Sequence, residues 1–217
     1  MKDATLRAIT NIDWITLILF FSIVLVVIVK QFFYTRFLNF MILPFNNKYL
    51  FMYNKKDKLF NWFNAFLTTF QLLNLSLFCY MSFHIFYDSK MEGALFIYVL
   101  SVLLFFFILK VLLQLGNGFI FNINSFISEL LFKKISYLNY SGIALFISNV
   151  ILIYILKDSK IVVYITLILI LLINSIGWVT VIRNHQKLIA YNFFYFILYL
   201  CTLEIAPLVL IGSYLKD

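Results

Sequence analysis

Residues 124–156 read NSFISELLFKKISYLNYSGIALFISNVILIYIL, and the fold turns on how this run divides. From Tyr140 to Leu156 there is no charged residue. That stretch just reaches the ~17–25 apolar residues that cross a bilayer as a helix, so it is expected to be a span. Ahead of it, Phe126, Ile127, Leu130, Leu131 and Ile135 recur at helical spacing, with Ser128, Glu129 and Lys133 opposite. Residues 124–136 are therefore expected to form an amphipathic helix lying in the membrane interface.

Working outward, five more stretches are long and apolar enough to cross: about 14–34, 62–86, 94–115, 161–182 and 193–214. The composition agrees. Of 217 residues, 64% are hydrophobic and 12% charged, and the mean hydropathy is +1.00. Soluble domains run near 45–50% apolar and about 25% charged, so lipid has to be the solvent for much of this surface. The first span is followed by Lys30, Gln31 and aromatics rather than a small-residue cleavage site, which argues against a cleaved signal peptide. The expected fold is all-α: one integral membrane domain over 1–217, with six transmembrane helices plus one or two cytoplasmic interfacial amphipathic helices. The second interfacial element falls in 30–61, basic and aromatic throughout, and breaks at Pro44 and Asn46–Asn47.

The distribution of bases sets the expected orientation. One side holds Lys30, Arg36, Lys48, Lys55, Lys56, Lys58, Lys133, Lys134, Arg183 and Lys187 against Asp57 and Glu129. On the other side Lys2, Arg7, Lys90, Lys157, Lys160 and Lys216 are balanced by Asp3, Asp13, Asp88, Glu92, Asp158 and Asp217. The first side is expected to be cytoplasmic and both termini periplasmic. The net charge of +8 is thus topological; bases spread over loops do not form a nucleic-acid surface. Trp14 and Trp62, at span starts, and Lys55, Lys56, Lys58, Lys133 and Lys134 are expected as interfacial anchors. Cys79 and Cys201 lie in apolar segments and read as buried thiols rather than a disulfide framework.

Polar residues inside the spans are the candidates for function. Glu204 lies three residues before Pro207 in YLCTLEIAPLVL, residues 199–210. At 1.5 Å per residue it falls about 16 Å into the core. Pro207 frees the Leu203 carbonyl and is expected to kink the helix beside the acid. Asn149 and Asn174 fall at about 14 and 12 Å, and Gln71 and Asn74 at about 14–18 Å. Together they are expected to form one polar layer near mid-membrane, either interhelical glue or a site for an ion, proton or headgroup. Lys110, one turn before Gln114, either snorkels to the cytoplasmic edge or reaches toward Glu204. The "GNG" at 116–118 reads as a helix-end turn, and Trp178 as a packing residue. No metal-ligand spacing or nucleophile motif appears, so no cofactor is expected.

Three stretches resemble the family called domain of unknown function 4271: NNKYLFMYNKKDKLFNWFN at 46–64, the basic loop between the third and fourth spans, and KLIAYNFFYFILYLCTLEIAPLVL at 187–210. Asn192, Tyr195, Tyr199, Glu204 and Pro207 carry the most specific part. The resemblance implies a multi-span helical protein of a bacterial inner membrane, in the Bacteroidota, and brings no established activity. The residues themselves favour a non-enzymatic accessory or structural subunit of a membrane assembly in envelope biogenesis or protein export. Its expected partners are membrane lipid and other membrane subunits or further copies of itself. Two other readings stand beside it: a small ion, proton or lipid carrier or channel built on Glu204 and the amides, and a lipid-acting membrane enzyme.

Overall fold

The computed structural model describes residues 13–46, 48–53, 61–87, 93–120 and 124–184. These form seven α-helices and no strand. They are α1 (Asp13–Phe32), α2 (Tyr34–Met41), α3 (Lys48–Tyr53), α4 (Trp62–Tyr87), α5 (Gly93–Ile120), α6 (Asn124–Val150) and α7 (Lys160–Asn184). A π-helical turn, Ile151–Ile155, continues α6 without a break. Five helices are long and apolar enough to cross a membrane: α1, α4, α5, α6 with its π turn, and α7. The sixth expected span, 193–214, lies outside the described residues, as do Glu204, Pro207, Lys55, Lys56 and Lys58.

Two clusters of buried side chains mark the ends of the bundle. At one end Ile15 and Leu19 of α1 meet Leu77 and Tyr80 of α4, Phe96 of α5 and Ile153 of the π turn. At the other, Val29 meets Phe40, Leu43, Tyr49 and Leu50 of the α2–α3 region, Phe63 and Leu67 of α4, and Phe132 and Tyr137 of α6. Consecutive long helices therefore run antiparallel, and α4 and α6 lie parallel. Both are central, packed on each other, with α1 and α5 against α4 and α7 against α6.

Composition follows position. The least apolar long helix, α4, has 56% of its candidate span buried, and the most apolar, α5, has 6%. Phe105 and Leu112 of α5, Leu17 and Phe20 of α1, and Leu171 and Leu172 of α7 face outward. An apolar exterior around an amide-bearing interior is the arrangement that lipid selects.

Residues 124–136 and 140–156 are not separate elements, which corrects the expected division of this run. They form one helix whose candidate span, Ile127–Ile155, has 29 residues. It rises about 43 Å, well beyond a core of about 30 Å. The Ser and Asn residues at the expected junction are buried: Ser136, Asn139 and Ser141 are each 1–2% exposed. A polar position facing a neighbouring helix has the same periodicity as one facing water. Gly116–Gly118 also corrects an expectation, since it stays helical to Ile120. Gly118 lets α5 approach α6, its missing Cβ lying 3.1 Å from Ile127 Cβ.

The 30–61 segment does break around Pro44, between α2 and α3. Phe40, Leu43, Tyr49 and Leu50 turn inward onto the bundle, while Tyr34, Ile42 and Phe45 stay exposed. Tyr49 stacks on Phe132 at 5.9 Å and 15°, and Phe40 packs edge-on to Tyr49 and Phe63.

Candidate functional site

The mid-membrane amides sort along one helix pair. Asn149 of α6 donates from Nδ2 to the Asn74 backbone carbonyl of α4 at 2.9 Å, with Asn74 Oδ1 at 3.5 Å. Asn74 in turn donates to the Phe70 carbonyl within α4 at 2.8 Å. One level away Asn139 Nδ2 donates to Thr68 Oγ1 at 3.2 Å. Between these levels Gln71 lies over Gly142, where an added Cβ would stand 3.1 Å from the Gln71 Cα. Gln71, Asn74, Asn139 and Asn149 are each at most 1% exposed. Among the described residues these amides form a seam running along the α4–α6 contact. Among the described residues Asn174 stays apart, bonding the Ile170 carbonyl of its own helix. Toward α7 the shortest polar link is Ser148 to Thr166, 2.6 Å between hydroxyl oxygens. Among the described residues Gln71 Oε1, Asn139 Oδ1 and Asn149 Oδ1 are buried and accept no hydrogen bond.

Thr68, Asn139, Gly142, Ser148 and Thr166 were missed by the sequence reading. Small and polar residues recurring at Asn139, Gly142, Ser148 and Asn149 were the available signal. Asn149→Leu is expected to lower stability by about 0.6–1.7 kcal/mol, the range of interhelical hydrogen bonds in lipid. Asn174→Leu breaks no bond to another described helix and is expected to change stability by less than about 0.5 kcal/mol. Equilibrium unfolding in mixed micelles compares the two; equal losses would remove the seam's special role.

Lys110 of α5 lies 5.9 Å from the Phe106 ring centroid. Lys134 sits over the Trp178 ring at 5.3 Å and lines a cavity of about 50 Å³ with Tyr137, Asn174 and Gly177. Lys133, 3% exposed, donates to Glu129 one turn back at 2.8 Å. Lys133 and Lys134 are thus held inside the helix packing rather than extended to headgroups. Trp62 is 72% exposed. Trp14 packs on Tyr80 and Phe96, 5.4 Å between centroids in each case.

The aromatic end of the bundle encloses Arg36, which the sequence reading used only as a topological charge. Arg36 is 6% exposed. Its guanidinium carbon lies 4.5 Å from the Phe63 ring centroid, 4.8 Å from Tyr53 and 5.9 Å from Tyr49. Nη2 points at Asn64 Oδ1, 3.5 Å away. On its other side Asn64 lines a groove of about 750 Å³ between α4, α5 and α6. Thr68 and Leu72 continue its α4 floor, Phe107 and Val111 form the α5 wall, and Leu131 and Ile135 close it from α6. Among the described residues no three of His, Cys, Asp and Glu gather closely enough to hold a metal ion.

An apolar helical exterior, an interhelical amide seam and five helices of crossing length fit a multi-pass membrane protein. The particular family follows from the sequence profile described as "Domain of unknown function (DUF4271)", which matches residues 15–215; the chain belongs to this family. No curated protein and no solved structure matches it.

Proposed function

We propose that the protein is a non-enzymatic accessory subunit of an inner-membrane assembly serving envelope biogenesis or protein export. The observation that carries this reading is the α4–α6 seam. The amides of α4 and α6 face each other across the helix contact, with Gly142 drawing Gln71 into backbone contact. What remains for interaction is the outer surface, above all α5, whose candidate span is 6% buried. In this reading the α2–α3 region lies in the cytoplasmic headgroup layer and both termini are periplasmic.

Purification of the full chain from native membranes in mild detergent tests the proposal. A stoichiometric membrane partner is expected to co-purify, and a homogeneous monomer with none would reject it. The orientation is tested by single cysteines replacing Lys56 and Lys90, which are expected to label from opposite faces.

A second reading, a small carrier for an ion, proton or lipid, is favoured by the three buried acceptor oxygens along the seam. It requires Glu204→Gln to abolish flux in proteoliposomes while folding is retained.

A further inference from the structure

We propose that the groove between α4, α5 and α6 holds one acyl chain of a glycerophospholipid, with the lipid's phosphate and glycerol oxygens at Asn64. The inference holds whether or not the chain is an assembly subunit. Length comes first. The lining runs from Asn61 to Leu72 on α4 and from Leu104 to Leu115 on α5. Eleven helical steps cover about 17 Å. One leaflet of a hydrocarbon core about 30 Å thick is about 15 Å deep, so the groove matches a single leaflet and not a full crossing.

The groove offers about 750 Å³, room for a flexible hydrocarbon chain. The walls suit such a chain, since Phe107, Val111, Leu131 and Ile135 present only apolar atoms.

Charge at the mouth chooses the headgroup end. Arg36 points Nη2 at Asn64 Oδ1, which orients the amide and leaves its Nδ2 hydrogens for the groove. The guanidinium directly behind Asn64 makes this end positive and rich in donors. Phosphate and ester oxygens are acceptors, and the phosphate is negative, so the two ends are complementary. Trp62, 72% exposed on the rim, has the amphipathic ring that favours this depth of the bilayer.

A benzophenone side chain introduced at position 65, on the groove's open rim, tests the occupant in native membranes. Photolysis is expected to yield a phospholipid adduct. An adduct to residues 193–214 or to another polypeptide would overturn the proposal. Lipid extraction after mild-detergent purification of the full chain gives an independent readout. Ala65→Trp fills the groove from its rim and is expected to lower retained phospholipid about tenfold with the unfolding midpoint unchanged. Equal retention in wild type and Ala65→Trp would sink the idea. Exchange against diacylglycerol tests the mouth: the wild type is expected to prefer phospholipid about tenfold, and equal retention of the two would remove Asn64 from the site.

Discussion

Gly177→Val is expected to lower the stability of the bundle by about 3 kcal/mol or more, the upper end of overpacking costs. A Cβ on Gly177 would stand 2.8 Å from Cγ and Cδ2 of Tyr137 and 3.0 Å from its Cβ. These atoms belong to the root of the side chain, which cannot swing aside without moving α6. Tyr137 is 1% exposed, and its hydroxyl lies 3.5 Å from Thr180 Oγ1. Gly177→Ala is the closer contest, because alanine gains about 1 kcal/mol of helix propensity against the clash. The clash is expected to win there by a smaller margin. Unfolding in mixed micelles measures both, and repeating Gly177→Ala in a Tyr137→Leu background should recover much of the loss. A neutral Gly177→Val would mean that α6 and α7 do not approach this closely.

Arg36→Ala is the second large effect, expected at about 3 kcal/mol. A buried cation over aromatic rings is worth about 0.5–2 kcal/mol per contact, and contacts to Tyr49, Tyr53 and Phe63 share one guanidinium, so they do not simply add. The arginine stem also fills space in the aromatic cluster, and its loss leaves Asn64 Oδ1 short of a donor. Arg36→Lys is expected to restore less than half of the loss, because an ammonium cannot lie flat against a ring. Protease cutting between α2 and α3 reports the local effect, and the unfolding midpoint reports the global one. If alanine and lysine both behave like wild type, the cage does not hold these helices to the bundle.

The apolar runs were legible because lipid imposes a plain rule on length and composition. Spans at 62–86, 94–115 and 161–182 reappear within α4, α5 and α7, with ends shifted by up to five residues. What the pattern could not distinguish was a polar side chain turned to water from one turned to another helix. For that reason residues 124–136 were expected as a separate interfacial helix, and α6 was divided where it is continuous. Gln71, Asn74 and Asn149 could be singled out from depth alone, but depth says nothing about azimuth. Asn149 reaches α4, whereas Asn174 folds back on its own turn. Arg36 was hidden for another reason: its value comes from rings supplied by α3 and α4, and no local motif announces that meeting. Glu204 and Pro207 lie outside the described residues, so the bend and the acid there remain properties of the sequence.

The pairing of α4 with α6 across the intervening α5 sets a schedule for biogenesis. Asn74 leaves the ribosome 75 residues ahead of Asn149, which donates to it. At about 5–20 residues per second that gap lasts roughly 4–15 s. Through this interval the least apolar of the five candidate spans is made and its amides lack their permanent neighbour, so it has to wait beside the insertion machinery or in a makeshift hairpin with α5. If it waits at the machinery, release into the bilayer coincides with the arrival of α6, and a ribosome stalled before residue 149 should leave α4 still in contact with the insertase.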